Sequence, residues 1–396
     1  MTSASPSYTS NIPKILLMNF HWMFLVIMPV IVPFLQLHGL DMQQVYLLQS
    51  VFAIGVFVLE VPSGYIADLF GRKKTLITGA LFSGVAFTIL AFSNTITGFI
   101  IFELCVAVAA SLMSGTDVAL IYDSLAVEKK STISESAVLG KKIFFAQIGE
   151  TVAALVGGAA AAYSVLLPAK INAVTAWIPL LIALTLTEPP RTKLDTRRHL
   201  ENFRHIYRAL FRHSRLLTLI ILNFIAFSAA TLLAVWAFQG YWKTLGVPVS
   251  YFGYLWAGFN LTVALSGRVA DSLKHKVGIG VMLLLISLLP MVGYGGMAWL
   301  GTVPGIIAGA AFQISRGFNQ VILRDALNLR VSGEMRATAN SIASLGVRLS
   351  FAIVGPLMGT LIDSRGYPHT FAVFAGVYLL LFLGLALPLI REFRKG

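Results

Sequence analysis

The feature that most constrains this chain is a set of long apolar stretches with almost no charge. A helix needs about 17–25 apolar residues to cross the hydrocarbon core of a bilayer, whereas a β-barrel strand alternates its faces over only about ten. The stretches that meet the helical length are Ile15–Leu35, Val45–Val61, Leu76–Phe92, Ile143–Ala162, Leu216–Phe238 and Phe371–Ile390. Because 57% of the 396 residues are hydrophobic and only 12% are charged, the chain is far more apolar than a soluble domain of its length. The sequence therefore predicts an all-α polytopic membrane protein.

The apolar pattern accommodates about twelve spans, six on each side of the longest polar segment. They are expected at 13–38, 42–66, 74–93, 97–126, 134–162, 167–187, 215–240, 249–270, 277–299, 303–330, 335–362 and 368–390. This predicts an N-terminal six-helix bundle over 1–187, a cytoplasmic linker over 188–214 and a C-terminal six-helix bundle over 215–396. The end of the linker is interpreted either as a basic amphipathic helix on the inner leaflet or as a solvated connection.

Positive charge is distributed unevenly between the two sides of these spans. With the spans assigned in alternation, 25 of the 30 lysines and arginines, Lys142 among them, fall on one side. The other side holds 3, namely Lys170, Lys243 and Arg365. Since the side rich in lysine and arginine stays cytoplasmic, both termini and the linker are predicted to be cytoplasmic. The formal net charge of +13 therefore reflects membrane topology, and we expect no nucleic acid partner.

The sequence also excludes several classes of protein by the motifs that it lacks. It contains no Walker-type phosphate loop, no HExxH and no GxSxG, so direct use of ATP and hydrolytic catalysis are not expected. Its single cysteine, Cys105, forms no internal disulfide and suggests no thiol metal site. The first apolar run is too long for a secretory signal and is interpreted as a retained helix. We expect no enzyme activity, no cofactor and no metal.

The two halves of the sequence resemble each other at a nearly constant offset. The matching segments are Leu17–Phe20 with Ile221–Phe224 at an offset of 204, Gly64, Ala67 and Asp68 with Gly267, Ala270 and Asp271 at 203, and Gly115, Asp123 and Leu125 with Gly317, Asp325 and Leu327 at 202. We interpret the chain as a six-helix unit used twice. Repeated halves of this kind place a substrate site near the bilayer midplane between them.

A dense group of charges lies between the second and third spans, in the sequence SGYIADLFGRKKTL from Ser63 to Leu76. Gly64 suits a close approach of two helices, and Gly71 suits a turn that other residues resist. Asp68 and Arg72 are four residues apart, within reach of each other on a continuing helix. A carboxylate at this place can also dock on the positive N-terminus of another helix. The alternative is that Arg72 and the lysines after it only obey the positive-inside rule.

This loop, together with the six-plus-six layout, resembles the signature of the major facilitator superfamily. The resemblance implies two six-helix bundles that rock about a central cavity, with the eleventh helix, near Glu334–Ala337, as the partner of Asp68. It also implies that an acidic residue at the inner end of the fourth helix completes a charge relay, a place that Asp123 fits. The resulting conformational latch consists of Gly64, Asp68, Gly71, Arg72, Asp123 and, in the second copy, Asp271. There His275 stands where Arg72 would be, so the second latch is expected to be weaker.

Two features that many members of this family carry are absent. Glu103 stands near the place where they have an arginine ahead of a glycine, and the fifth helix has glycines but no proline. A Gly-Pro pair occurs instead at Gly355 and Pro356 in the eleventh helix. The direction of transport therefore stays open in the sequence.

Ionisable residues inside spans are expensive and are functional candidates by default. The residues considered for proton coupling are Glu150, Asp117, Glu103 and His21. Those considered for the substrate cavity are Asn19, Ser114, Asp117, Asn223, Trp236, Gln313, Arg316, Asn319 and Arg348. The alternative for Asp117 is a structural ion pair with Arg316, and His21 and Glu150 are also compatible with hydrogen-bonded packing.

The function that these features favour is a secondary active transporter that works by alternating access. Proton-coupled export of an amphipathic compound or metabolite, in the manner of drug/metabolite proton antiporters, is the first hypothesis. Proton-coupled uptake or exchange of an anionic metabolite through Arg316 and Arg348 is the second. A non-transporting membrane receptor or scaffold is the alternative of another class. The expected partners are a small molecule, protons and the lipid bilayer, for a monomer in a bacterial inner (plasma) membrane.

Overall fold

The computed structural model describes residues 8–127, 135–190 and 214–395, and every regular element in these ranges is a helix. The helices are α1 Asn11–Trp22, α2 Ile31–Leu37, α3 Met42–Phe70, α4 Arg72–Phe92, α5 Ile96–Met113, α6 Thr116–Val127, α7 Glu135–Tyr163, α8 Leu167–Thr175, α9 Ile178–Leu184, α10 Arg215–Thr244, α11 Phe252–Val277, α12 Ile279–Trp299, α13 Thr302–Ala308, α14 Ala310–Asn328, α15 Gly333–Leu381 and α16 Leu387–Lys395. A π-helical segment, Phe382–Ala386, joins α15 to α16.

Eight segments within the described ranges are long and apolar enough to cross a membrane. They contain nine of the predicted spans, because the last two lie together on Thr338–Arg394, where Gly366 has a non-helical backbone with a φ of 77° and a ψ of 169° between the predicted spans 335–362 and 368–390. Of the other three, 13–38 is broken between α1 and α2, and 303–330 comprises α13 and α14, which meet at Gly309 with a helical φ of −58° and ψ of −26°. The third, 249–270, lies in α11, whose last turn is basic. Hydropathy therefore located the apolar segments and the interruption at Gly366, but not the break within 13–38.

The break between α5 and α6 falls inside the predicted span 97–126. The α-helix ends at Met113, Ser114 takes a ψ of 121°, and α6 begins at Thr116. Between them Gly115 has a φ of +77°, a backbone conformation that glycine adopts without steric cost. The span is thus discontinuous, and the first turn of α6 begins within it.

The helices form two compact units, which are described separately. The first comprises Met1–His38, Val51–Thr196 and Val249–Ala257, and the second comprises Gly39–Ser50, Arg197–Pro248 and Gly258–Gly396. The predicted division into two bundles joined by 188–214 stays a prediction, because most of that linker lies outside the described residues.

In the first unit, glycines of α7 let the chain around α1 approach the helix backbone. A Cβ atom at Gly149 would collide with the carbonyl oxygen of Phe20, and one at Gly157 would collide with that of Val26. Close approach of helix backbones is the usual role of small residues in membrane helices. The glycines of the fifth span therefore have a packing role in this chain.

In the second unit, three buried tyrosines are fastened to α10 through its own carbonyl groups. The hydroxyls of Tyr46, Tyr294 and Tyr378 donate to the carbonyls of Leu233, Ala230 and Ala226 at 2.6, 3.0 and 3.2 Å. A buried hydroxyl needs an acceptor, and a helical carbonyl keeps a second lone pair for one. Aromatic packing and hydrogen bonding thus hold α3, α12 and α15 to the same helix.

The contact between α7 and α1 predicts a position-specific effect of adding one methyl group. Gly149→Ala is expected to destabilise the protein by about 1–3 kcal/mol, because the new Cβ overpacks a backbone contact. Thermal unfolding in detergent measures the effect. Gly140→Ala is the matched control, since it lies on the same helix and a Cβ atom there would have no neighbour within 4 Å; equal stability of the two variants would contradict the proposed contact.

Candidate functional site

The first unit contains a triad of two carboxylates and one arginine where α3, α4 and α6 meet. The Arg72 guanidinium lies 2.7 Å from Oδ1 of Asp68 through Nη1 and 3.4 Å from Oδ2 of Asp123 through Nε. Asp68 stands near the end of α3, Arg72 begins α4 and Asp123 lies on α6. Sequence spacing predicted the contact of Arg72 with Asp68, and the family resemblance predicted its contact with Asp123. Both contacts are present. The latch role of the triad stays a prediction.

The turn that leads into α4 is shaped around a carboxylate that the sequence analysis missed. The Glu188 carboxylate accepts the backbone N–H groups of Arg72 and Lys73 at 2.8 and 2.6 Å. Gly71 has a φ of +106°, and a Cβ there would stand 2.9 Å from a Glu188 oxygen. Gly71 therefore supplies both the left-handed backbone and the space for an anion at a helix N-terminus.

A second carboxylate holds the start of α3 in the second unit. Asp363 accepts the backbone N–H groups of Met42 and Gln43 at 3.0 and 2.7 Å. These donors have no partner within the helix because they belong to its first turn. No sequence pattern identifies Glu188 or Asp363 as a helix cap, because each caps a helix that is far from it along the chain.

The second unit repeats the triad with a lysine in place of the central arginine. Lys274 lies 3.0 Å from Asp271 and 3.3 Å from Asp325, and so bridges two carboxylates as Arg72 does. The expectation that His275 takes the place of Arg72 needs correction, because Lys274 is the bridging cation, although His275 lies 3.6 Å from Asp271. Spacing by i, i+3 as well as i, i+4 would have identified Lys274. Its hydrogen bond lowers the pKa of Asp271, which lies beyond the predicted span 249–270.

The two triads differ in their exposure to solvent. The Asp68 side chain is 23% exposed, whereas that of Asp271 is 62% exposed. Exposed ion pairs are screened and contribute little, so the triad of the first unit is the stronger one.

Part of the predicted latch has no observed contact. Apart from its chain neighbours and its own helix, no atom of the described residues lies within 4 Å of a Cβ built on Gly64. The side chains of Glu334 and Ala337, at the predicted docking helix, lie outside the described residues.

A buried ion pair lies beside the break between α5 and α6. Oδ2 of Asp117 is 2.6 Å from Nζ of Lys142, and their side chains are 7% and 20% exposed. Asp117 stands in the first turn of α6 and its Oδ1 accepts the N–H of Val118 at 2.7 Å, where the helix dipole favours a negative charge. The observed partner of Asp117 is thus Lys142, and the ion pair with Arg316, considered as an alternative, stays a prediction.

The positive-inside pattern places Lys142 with the cytoplasmic lysines and so gives it no role at the site. In the structure α7 begins at Glu135, so Lys142 is already two turns along the helix. Charge counting assigns a lysine to one side of the membrane but does not say how deep along its helix it lies. The ion pair is found only when the structure places Asp117 of α6 opposite Lys142.

The other candidates for proton coupling differ in their burial and in their hydrogen bonds. Glu103 on α5 is buried at 3% exposure. Glu150 lies part-way along α7 with an intermediate exposure. The Nδ1–H group of His21 donates to the carbonyl of Leu17 in its own helix at 3.0 Å, which is the packing alternative considered for it.

Several candidates for the substrate cavity are engaged with the protein itself. The Asn19 amide donates to the carbonyl of Ile15 at 3.0 Å. The Asn223 amide donates to the carbonyls of Leu219 and Leu385 at 2.8 and 3.0 Å, which fastens α10 to the π-helical segment.

The remaining cavity candidates range from buried to exposed. Trp236, Gln313 and Asn319 are buried. Asn319 donates to Ser228 at 2.9 Å, while its Oδ1 has no partner among the described residues, so a buried acceptor is left on α14. Ser114 is exposed at the helix break, Arg316 is exposed on α14 and Arg348 is partly exposed on α15.

Comparison with known proteins identifies the family. The model of the Major Facilitator Superfamily matches residues 15–333. No curated protein sequence matches the chain significantly.

Solved structures share the fold along nearly the whole chain. The nucleoside transporter NupG has a TM-score of 0.80 at 14% identity, covering 96% of this chain and 98% of its own. A bacterial homolog of the human lysosomal transporter Spinster gives 0.76 at 16% identity, covering 99% of each chain. A D-xylose-proton symporter gives 0.70 at 13% identity, covering 96% of each chain. These identities show the fold alone.

The duplicated charge triads, the helical fold and the family match along most of the sequence lead to one conclusion. The chain is an all-α polytopic membrane protein that belongs to the Major Facilitator Superfamily, and it is a transporter rather than an enzyme.

Proposed function

We propose that this transporter is a secondary active carrier that moves a small molecule by alternating access and couples that movement to protons. The observation that carries the proposal is the Asp117–Lys142 ion pair beside the break between α5 and α6. Broken helices whose N-termini lie at membrane depth are typical of substrate and ion sites in transporters. That a solved neighbour is named a D-xylose-proton symporter supports proton coupling as a use of this fold.

The chemistry of the pair explains how a proton and a substrate can affect each other. With Asp117 ionised, the pair is neutral, and both charges are satisfied in a site that water reaches poorly. When Asp117 takes a proton, Lys142 loses its counter-ion and the pair becomes positive. The site then favours either water or an anionic ligand, so proton binding changes which conformation and which ligand the site prefers.

Two forms of the proposal follow from this competition. In the first, an amphipathic compound with a positive charge binds Asp117 in place of Lys142 and is exported as a proton replaces it. In the second, a proton on Asp117 frees Lys142 to bind an anionic metabolite, and proton and anion travel together. Lys142 favours the second form, because it is a cation in addition to Arg316 and Arg348 and lies beside the break between α5 and α6.

We infer that the two triads act as switches in the same cycle. An arginine or lysine held between two carboxylates of different helices fixes the relative positions of these helices. Rearrangement of such pairs is a known route between conformational states. The first triad, Asp68–Arg72–Asp123, is the less exposed of the two and is expected to have the larger effect.

Removal of the Asp117 carboxylate tests proton coupling. Asp117→Asn is expected to lower transport driven by a pH gradient at least about tenfold, because the remaining amide does not titrate in this range. Proteoliposomes loaded with a compound selected by thermal-shift screening measure the flux. Flux that still follows the imposed pH gradient in this variant would remove Asp117 from the coupling mechanism.

Three further variants separate the two forms and control for folding. Lys142→Gln is expected to abolish transport of an anion but to retain transport of a cation, which then binds Asp117 without competition. Lys141→Gln, at the exposed neighbouring lysine, is the matched control and should leave transport unchanged. The double variant Asp117→Asn with Lys142→Gln removes both charges and should recover folded yield if a single variant loses it; breaking fully buried pairs costs about 3–5 kcal/mol.

The triads generate a second prediction, which compares equivalent substitutions in the two units. Asp68→Asn is expected to lower the transport rate about fivefold, and Asp271→Asn less than about twofold, because the pair of Asp271 is more exposed and more screened. Initial rates in proteoliposomes at low salt provide the measurement. Equal loss in both variants, or a larger loss in Asp271→Asn, would contradict the ranking of the triads.

A further inference from the structure

The first unit has a crevice between α3, α4 and α5 that neither the triads nor the ion pair uses. Its volume is about 420 Å³. Its walls are apolar over most of their extent, with Leu59, Phe70, Phe82 and Leu112 among the lining residues. Phe70 is 60% exposed, so this wall reaches the surface of the unit.

One end of the crevice carries a positive charge. Lys74 lines it in the first turn of α4 and is exposed. No ion pair of Lys74 occurs among residues 8–127, 135–190 and 214–395, whereas the neighbouring Arg72 is held by Asp68 at 2.7 Å. By the positive-inside pattern this end of α4 lies at the cytoplasmic surface, at the depth of lipid headgroups.

A buried hydroxyl points to a ligand inside the crevice. Ser111 on α5 lines it and is only 2% exposed. Its Oγ has no hydrogen-bond partner among the described residues, although the hydroxyls of Ser63, Thr75 and Thr78 are satisfied by carbonyls of their own helices. Leaving a buried hydroxyl unpaired is unfavourable, so Ser111 is the polar group that a ligand would satisfy.

The dimensions of the crevice match one leaflet of a bilayer. Its α4 wall runs from Lys74 to Phe82, a distance of about 12 Å at about 1.5 Å per helical residue. Half of a hydrocarbon core is about 15 Å thick. The crevice thus combines a positive charge at one end, an apolar wall of this length and a polar group inside. This pattern fits an amphiphile with an anionic head.

We propose that this crevice binds an anionic phospholipid of the cytoplasmic leaflet. The headgroup phosphate contacts Lys74, one acyl chain lies along Phe70, Phe82 and Leu112, and Ser111 donates a hydrogen bond to an ester oxygen. A phospholipid is favoured over a soluble anion because most of the lining is apolar. This proposal does not depend on the nature of the transported substrate.

Lipid binding to variants of the purified protein tests the proposal. Phosphatidylglycerol and phosphatidylcholine are titrated separately in detergent, and bound lipid is counted by native mass spectrometry. The unmodified protein is expected to bind phosphatidylglycerol more tightly, and Lys74→Gln to bind it about fivefold more weakly, as removal of one surface lysine predicts. Ser111→Leu, which fills the crevice and removes the hydroxyl, should abolish the high-affinity binding.

The controls decide between this site and less specific explanations. Lys73→Gln removes the adjacent lysine, which does not line the crevice, and should leave the affinity unchanged. Equal weakening by Lys73→Gln and Lys74→Gln, or equal binding of the two lipids, would overturn the proposal. Displacement of the lipid by millimolar inorganic phosphate, or by the transported compound, would also overturn it, because the occupant would then be a soluble anion or the substrate.

Discussion

An ionised carboxylate among apolar helices is stable only beside positive charge or hydrogen-bond donors, and this constraint accounts for the contacts of the acids at the candidate site. Asp117 meets it through Lys142, and Asp68 meets it through Arg72. Glu188, which is partly buried, meets it through backbone N–H groups at the start of α4, and the exposed Asp363 caps the start of α3 in the same way. Each acid therefore fixes a contact between segments that are distant in the sequence or lie on different helices.

The same constraint makes these contacts switchable. A structural pair of this kind breaks when one partner is neutralised or when another charge competes for it. Asp117 differs from Asp68 in being less exposed and in standing at a break within a span. In the proposed mechanism, a change of its charge is transmitted to α6 and α7, and the triads respond at the ends of the helices.

The sequence predicted the fold because the fold depends on the length and polarity of segments. It also predicted the contact of Asp68 with Arg72 from their spacing of four residues. The contact forms although the helix does not continue between them, because α3 ends at Phe70 and Gly71 turns the chain into α4. Asp123 came from the resemblance of the loop to the superfamily.

The partners that sequence reasoning missed share one property. Lys142, Glu188 and Asp363 each meet residues from a different part of the chain, and the rotation of one helix against another is not encoded in a hydropathy pattern. Lys274 was missed for a smaller reason, because the repeat offset drew attention to His275. The break within a span at Gly115 was missed, since an isolated glycine in an apolar stretch also occurs within continuous helices.

The proposed coupling depends most directly on whether Asp117 exchanges a proton in the folded transporter. Infrared difference spectra of the protein in lipid measure the protonation of buried carboxyl groups without any knowledge of the substrate. They are recorded while the pH is lowered from about 8 to about 3, a range that includes the ordinary pKa of a carboxyl group. The mechanism predicts a band of a protonated carboxyl group in the unmodified protein that is missing in Asp117→Asn. Identical spectra from the two proteins would contradict it.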